Sequence, residues 1–171
     1  CSCRVVDEQG RGLPPGEIGA VIHQGRGLMR EYYNNPQATR EAVRNGFFHT
    51  GDLGKFDEDG YLYIVGRIKE MINRGGEKVY APEVEQVLCQ NPAVLEAAVV
   101  GVPHEVLGEE VKAFVVCKNG FEITEKDLME YCHSKLAHFK TPKTIEFRAV
   151  LPKSSMGKVL KHELVSGNYP K

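Results

Sequence analysis

The sequence predicts an α+β fold in two parts, the first rich in β-strands and the second with alternating strands and helices. In the first part, short apolar runs are separated by turns that contain Gly, Pro and Asn. In the second part, β-branched runs alternate with segments whose apolar residues recur at helical spacing. A hydrophobic content of 42% over 171 residues is enough for one or two domains with a core.

The first part extends from residue 1 to about residue 65 and is expected to contain mostly strands. The strands expected in it are 3–7, 18–23 and 61–65. The acidic stretch 57–60 ends in glycine and indicates a hairpin turn before the third of these strands. Pro36 suits the first turn of a short helix over 37–43.

The second part is expected to be a small α+β domain of about 100 residues. A helix over 82–90 begins at Pro82, and Thr124 with Asp127 has the spacing of a capping box that opens a second helix. The apolar positions expected on that second helix are Leu128, Tyr131, Cys132 and Leu136. The strands expected in this part are 94–102, 111–117 and 144–150.

Composition excludes several classes of protein. The net charge of −1 gives no global basic excess for nucleic acid, no apolar run has the length of a bilayer span, and no signal peptide opens the chain. The cysteines are Cys1, Cys3, Cys89, Cys117 and Cys132. An odd number without a CxxC pair argues against a disulfide framework or a protein metal site, so we expect reduced thiols in a cytoplasmic protein.

Three residues near the end of the first part could bind a nucleotide. Asp52 follows glycine at a strand end, where its carboxylate can accept hydrogen bonds from the two vicinal hydroxyls of a ribose. A turn-capping aspartate is the alternative. The guanidinium of Arg67 can serve a ribose hydroxyl or a phosphate oxygen, or form a surface salt bridge. Ile64 could flank the nucleotide or occupy an ordinary core position.

Two loops combine glycine with a basic residue. In the segment that begins at Arg74, Gly75 and Gly76 leave a bare backbone that can form a narrow passage for a thin substrate, although a simple turn is the alternative. Lys158 follows glycine in a loop of small residues, where its ammonium can approach an anionic group closely. Taken alone, such a loop is more often a solvated turn.

Four segments taken together favour the functional interpretation of these residues. They are Thr50-Gly51-Asp52-Leu53, Gly66-Arg67-Ile68-Lys69-Glu70, the stretch from Arg74 to Glu85, and the stretch from Leu151 to Lys161. In this order and at these separations they resemble the adenylate-forming acyl-CoA synthetase family, which also includes luciferases and the adenylation domains of peptide synthetases. The resemblance covers essentially the whole chain.

The resemblance implies a role for each candidate residue. Asp52 would hold the ribose, with Arg67 and Ile64 beside the nucleotide. Lys69 would be the hinge between two domains, although a solvated linker lysine is the alternative. Gly75 and Gly76 would line the channel for the pantetheine arm of coenzyme A.

The last of these roles belongs to Lys158. The resemblance implies that this lysine reaches into the active site during adenylation and neutralises charge between the attacking carboxylate and the α-phosphate.

The resemblance also implies an activity and a domain organisation. ATP with Mg²⁺ would convert a carboxylic acid into an acyl-AMP, and coenzyme A would then form a thioester after rotation of a lid. Residues 1–68 would be the β-rich end of a large N-terminal domain. Residues 69–171 would be a small α+β lid with a mixed sheet flanked by helices. General likeness of the motifs favours fatty or aryl acids.

The chain is expected to be part of a longer protein, because it begins with Cys and enters a strand-like run at once. The phosphate loop of the family and its aromatic-Gly-x-Thr-Glu segment are absent from these 171 residues, so we expect the isolated chain to be inactive. Two alternatives stay open. One is a peptide-synthetase adenylation domain, which the absence of a carrier-like Gly-Gly-Asp-Ser-Leu element after Lys161 disfavours. The other is a non-catalytic nucleotide-binding or partner-binding module.

Overall fold

The computed structural model of the chain describes residues 2–166, so Cys1 and residues 167–171 lie outside this account. The chain forms two compact units, Cys1–Lys69 and Glu70–Lys171. Each unit has its own β-sheet, and the α+β class that the sequence predicts is confirmed. The assignment of 1–68 and 69–171 to two functional domains stays a prediction.

The first unit is an antiparallel sheet with one short helix. Its elements are β1 (Ser2–Val6), β2 (Gly19–Gln24), α1 (Pro36–Ala42), β3 (Val43–Arg44), β4 (Phe47–Phe56) and β5 (Leu62–Arg67). The long strand β4 pairs with β2, β3 and β5, and β1 pairs with the other edge of β2. Helix α1 begins at Pro36, one residue before the predicted start, with the proline in its first turn as expected. The Asn35 side chain caps it by accepting the amide of Ala38.

The second unit contains a mixed sheet. After a 3-10 turn at Ile68–Glu70, its elements are β6 (Met71–Arg74), β7 (Glu77–Tyr80), α2 (Ala81–Cys89), β8 (Val94–His104), β9 (Gly108–Cys117), α3 (Glu125–His133), β10 (Thr144–Phe147) and α4 (Lys161–Ser166). The central strand β9 is parallel to β10 and antiparallel to β6 and β8. The mixed sheet that the sequence predicts is therefore confirmed.

Helices cover both faces of this second sheet. On β9, Val111, Ala113 and Val115 belong to a core that includes residues of α2 and α3. The alternate residues Phe114 and Val116 pack in a second cluster with Leu164 of α4. Burial of both faces agrees with the continuous apolar run at residues 113–117 of β9.

Several boundaries differ from the predicted ones. Helix α3 ends at His133, so Leu136 lies beyond it and packs against the core from the following loop. The capping box of Thr124 and Asp127 is present. Strand β10 ends at Phe147 rather than at 150. The hairpin of β6 and β7 was not predicted. The short elements β3 and α4 were not predicted either, because runs of two and six residues carry little periodicity.

The cysteines that the structure describes are free thiols. Cys3 and Cys89 are exposed, Cys117 is half-buried and Cys132 is fully buried in α3. Burial raises the pKa of the Cys132 thiol to about 11. Within residues 2–166, no helix is long and apolar enough to cross a membrane.

Candidate functional site

The structure brings Asp52 and Arg67 together. They face each other on the antiparallel strands β4 and β5, and the Nε atom of Arg67 lies 2.9 Å from the Oδ1 atom of Asp52. The exposed fractions of the two side chains are 28% for Asp52 and 54% for Arg67, so both polar ends reach solvent. The pair offers acceptor oxygens and guanidinium donors side by side, which suits a ligand that carries both hydroxyl and phosphate groups.

Thr50 fixes the backbone that presents Asp52. The Thr50 hydroxyl donates to the carbonyl oxygen of Val21 on β2 at 2.9 Å, and its oxygen accepts the amide of Asp52 at 3.0 Å. This side chain therefore ties β4 to β2 where the carboxylate emerges. Sequence reasoning gave Thr50 no role of its own, although its position two residues before Asp52 was a usable signal.

Two other candidates in the first unit are exposed. The exposed fraction of Ile64 on β5 is 58%, so it does not belong to the described core of the unit. Lys69 is exposed within the 3-10 turn and is the last residue of the first compact unit. A short turn between two units is a suitable place for the change in φ and ψ that a hinge requires.

Lys158 lies on a tight loop with a defined backbone. The amide of Ser154 donates to the carbonyl oxygen of Lys158 at 2.8 Å, and the Lys158 amide donates to the Ser154 hydroxyl at 3.2 Å. Below the tip, Lys153 and Val159 form an antiparallel bridge. The side chain of Lys158 is 70% exposed, so an ammonium group projects from a fixed backbone and can meet an anion.

A network of carboxylates lies at the base of this loop. Lys161 bridges Glu85 and Glu70, with its Nζ atom 2.7 Å from Glu85 Oε1 and 3.4 Å from Glu70 Oε2. The Nζ atom of Lys158 is 4.0 Å from Glu70 Oε1. Lys161 is therefore not an isolated surface charge, because its side chain is 20% exposed and lies between two acidic partners.

Gly75 and Gly76 form the two-residue turn between β6 and β7. Their φ angles are +61° and +94°, values that L side chains rarely adopt, and Arg74 pairs with Glu77 across the turn. Both glycines are exposed. The turn is therefore a bare backbone surface, as the passage for a thin substrate would require.

The second unit also contains an open cavity of about 430 Å³. Its lining includes Arg74, Glu110, His133, Thr141 and Lys143. Within residues 2–166, no group of three or more His, Cys, Asp and Glu side chains could hold a metal ion.

Comparison with known proteins identifies the second unit. Residues 83–158 match the family described as the AMP-binding enzyme C-terminal domain. The chain belongs to the adenylate-forming acyl-CoA synthetase family. It corresponds to the C-terminal portion of these enzymes, because curated ligases of the family match it over nearly its whole length.

Two curated relatives illustrate this match. A long-chain-fatty-acid–CoA ligase of Escherichia coli O6:H1 is 45% identical over 161 residues, which are 94% of this chain and 28% of the relative. An oxalate–CoA ligase of Arabidopsis thaliana is 43% identical over 155 residues, which are 91% of this chain and 30% of the relative. The chain thus spans about a third of the length of the adenylate-forming ligases it matches.

Solved structures of adenylate-forming enzymes agree with this assignment. The crystal structure of ATP-bound MatB from Rhodopseudomonas palustris matches with a TM-score of 0.91 and 42% identity, covering 97% of this chain and 33% of that one. The anthranilate CoA ligase AuaEII, in complex with anthranoyl-AMP, matches with a TM-score of 0.87 and 34% identity over 97% of this chain and 33% of that one.

Proposed function

We propose that the protein containing this chain is an AMP-forming acid–thiol ligase. In the first step, a carboxylate oxygen attacks the α-phosphorus of ATP, the bond to the β-phosphate oxygen breaks and pyrophosphate leaves. In the second step, the thiol of coenzyme A attacks the acyl carbon of the acyl-AMP, loses its proton and releases AMP. ATP and coenzyme A are the cosubstrates in this proposal, and Mg²⁺ enters as the counterion of ATP, as part of the substrate.

The observation that carries the proposal is the presentation of Lys158 in a chain related to CoA ligases. Its ammonium projects from a hydrogen-bonded loop, and its side chain is 70% exposed. A donor that is held before the reaction can stabilise charge as it develops between carboxylate and phosphate, because little reorganisation is needed. We assign Lys158 the catalytic role in adenylation.

The nucleotide is assigned to the first unit. The Asp52 carboxylate would accept the two ribose hydroxyls, and Arg67, 2.9 Å from it, would orient that carboxylate and contact a ribose or phosphate oxygen. Exposed Ile64 would provide an apolar contact for the nucleotide. These three residues all lie on β4 and β5, so one hairpin would present them together.

Thioester formation is assigned to the turn at Gly75 and Gly76. With no side chains, this turn would let the pantetheine arm pass close to the backbone. Lys69 would be the pivot about which the second unit rotates, replacing Lys158 by the glycine turn at the reaction centre. One cavity would then serve the two steps in sequence.

The decisive experiment measures AMP release by the full-length protein with ATP, Mg²⁺ and coenzyme A against a panel of fatty, aryl and short carboxylic acids. We expect release that requires both an acid and coenzyme A. Release that needs a carrier protein instead of coenzyme A would assign the protein to the peptide-synthetase type. No turnover with any acid would contradict the proposal.

The isolated 171-residue chain provides a control for that experiment. It lacks the phosphate loop of the family, so we expect no acid-dependent exchange of pyrophosphate into ATP. Exchange by this chain alone would show that its own residues are sufficient for adenylation.

The Asp52→Ala variant tests the nucleotide assignment. Loss of hydrogen bonds between a charged group and a ligand costs about 1.5–3 kcal/mol, so the KM for ATP should rise by roughly 10- to 150-fold. The KM for coenzyme A should stay within about twofold. Initial rates at varied ATP would measure the change, and Asp127→Ala, on the cap of α3, is the control. An unchanged KM for ATP would remove Asp52 from the site.

A further inference from the structure

The glycine turn that we assign to thioester formation is anchored to the start of β9. The amide of Gly75 donates to the carbonyl oxygen of Leu107 at 2.8 Å. The amide of Asn73 donates to Oε2 of Glu109 at 2.7 Å, and the side chain of Asn73 accepts the amide of Gly76 at 3.0 Å. Asn73 and both glycines of the turn are thus held by hydrogen bonds.

A buried ion pair completes this anchor. The Nε atom of Arg74, the residue directly before the two glycines, lies 2.6 Å from Oε1 of Glu110. Glu110 is only 6% exposed, and the same oxygen accepts the amide of Val111 at 2.9 Å. A buried carboxylate without its partner is strongly unfavourable, so this pair fixes Arg74 against β9.

The protonation of the pair agrees with this geometry. Burial raises the pKa of the Glu110 carboxyl, but hydrogen bonds from Arg74 and the Val111 amide, with the charges of Arg74 and His104, bring that pKa below its usual value. The hydrogen bond to Glu110 raises the pKa of the Arg74 guanidinium. Both groups therefore stay charged at neutral pH.

A glycine on the neighbouring strand β8 makes room for the anchor. Gly101 lies on β8 beside β9, and a Cβ atom at this position would be 2.9 Å from Oε1 of Glu109. Cβ atoms essentially never lie so close to another heavy atom, so a side chain at 101 would displace the carboxylate that holds Asn73. The absence of a side chain at 101 on β8 thus leaves the space that the Glu109 carboxylate of β9 occupies.

We propose that Glu110, acting through Arg74, and Glu109, acting through Asn73, are positioning residues that hold the Gly75–Gly76 turn in place for acyl transfer to the thiol. This inference rests on the proposed function of the turn. Glycine has more conformational freedom than any other residue, so two adjacent glycines would sample many conformations unless the flanking residues were fixed. Displacement of a positioning element by about 1 Å can reduce a rate by about 100-fold.

The test separates the two half-reactions in the full-length protein, with the acid that gives the fastest AMP release in the panel. Glu110→Gln should slow thioester formation from supplied acyl-adenylate by about 10- to 100-fold. Acid-dependent pyrophosphate exchange should stay within about twofold. The control is Glu146→Gln on β10, which removes a carboxylate that pairs with Lys112 of β9 at 2.8 Å and with Arg148 at 2.6 Å, away from the turn. It should change neither half-reaction by more than about twofold.

Glu110→Gln leaves the charge of Arg74 without its carboxylate, which could unfold the unit. The double variant Arg74→Met/Glu110→Gln removes both charges and keeps the test possible. Because the two residues act as one pair, the double variant should lose no more thioester formation than Glu110→Gln does. If the double variant loses more thioester formation than Glu110→Gln does, the two residues do not act as one pair.

Hydrogen–deuterium exchange provides a readout that does not depend on activity. The amides of residues 73–76 should exchange faster in Glu110→Gln than in the wild type and the Glu146→Gln control. Unchanged exchange would overturn the anchor. Faster exchange with unchanged thioester formation, or equal loss of both half-reactions, would overturn the positioning role. If the wild type converts no acid, the proposed function fails and the transfer role with it, while the exchange data still decide whether the anchor exists.

Discussion

Replacing Lys158 by alanine in the full-length protein is expected to slow acyl-adenylate formation by about 10²–10³, or roughly 3–4 kcal/mol. The physical reason is the loss of a prepositioned positive charge where a carboxylate approaches a phosphate. Thioester formation from supplied acyl-adenylate should be retained, because that step is assigned to the glycine turn. Pyrophosphate exchange and single-turnover thioester formation measure the two steps separately.

Two further variants make the Lys158 test specific. Lys158→Arg keeps the charge and changes the shape of the donor, so partial recovery would assign the effect to charge. Lys126→Ala removes an exposed lysine of α3, whose side chain is 84% exposed, and should leave both steps unchanged. Equal loss of both half-reactions in Lys158→Ala would contradict the assigned role.

Truncation of Leu128 is expected to be the most destabilising change considered for the second unit. This side chain is fully buried in α3 and belongs to the core beneath the mixed sheet. Leu→Ala substitutions at such positions cost about 2–5 kcal/mol, because transfer energy is lost and a cavity remains. Hydrogen exchange of amides in α3 and β9 of the 171-residue chain would report the loss in the free energy of unfolding of this unit.

The matched control for Leu128 is Leu95→Ala. Leu95 lies on β8 and is 59% exposed, so the same truncation there should change the free energy by no more than about 0.5 kcal/mol. A similar loss at both positions would contradict the identification of Leu128 as a core residue. Measurement by exchange avoids the assumption that the two compact units unfold in one transition.

Local patterns predicted much of this fold. The capping box at Thr124 depends on residues three apart, and Pro36 acts within one helical turn, so both could be read from neighbouring positions. The apolar, β-branched run at 111–117 indicated the strand that the structure shows as β9. The two-glycine hairpin was missed although its signal is present, since two strands separated by Gly-Gly favour such a turn.

The residues of the candidate site could also be predicted from the sequence only in part. The order and spacing of four motifs resemble the adenylate-forming ligases, and that resemblance implied the roles of Asp52, Arg67, the glycine turn and Lys158. Those assignments of residue roles remain predictions that the experiments above can test. Local sequence carried no sign of the partners of these residues.

Only the tertiary structure decided which side chains meet. Asp52 and Arg67 face each other because of the register between β4 and β5. Arg74 reaches a carboxylate 36 residues away, and Lys161 reaches Glu70 across 91 residues. Such contacts depend on strand pairing and chain crossings, which no local periodicity encodes. The sequence by itself therefore determined the family, the elements and the candidate residues, whereas the folded chain determined the carboxylates that hold them in place.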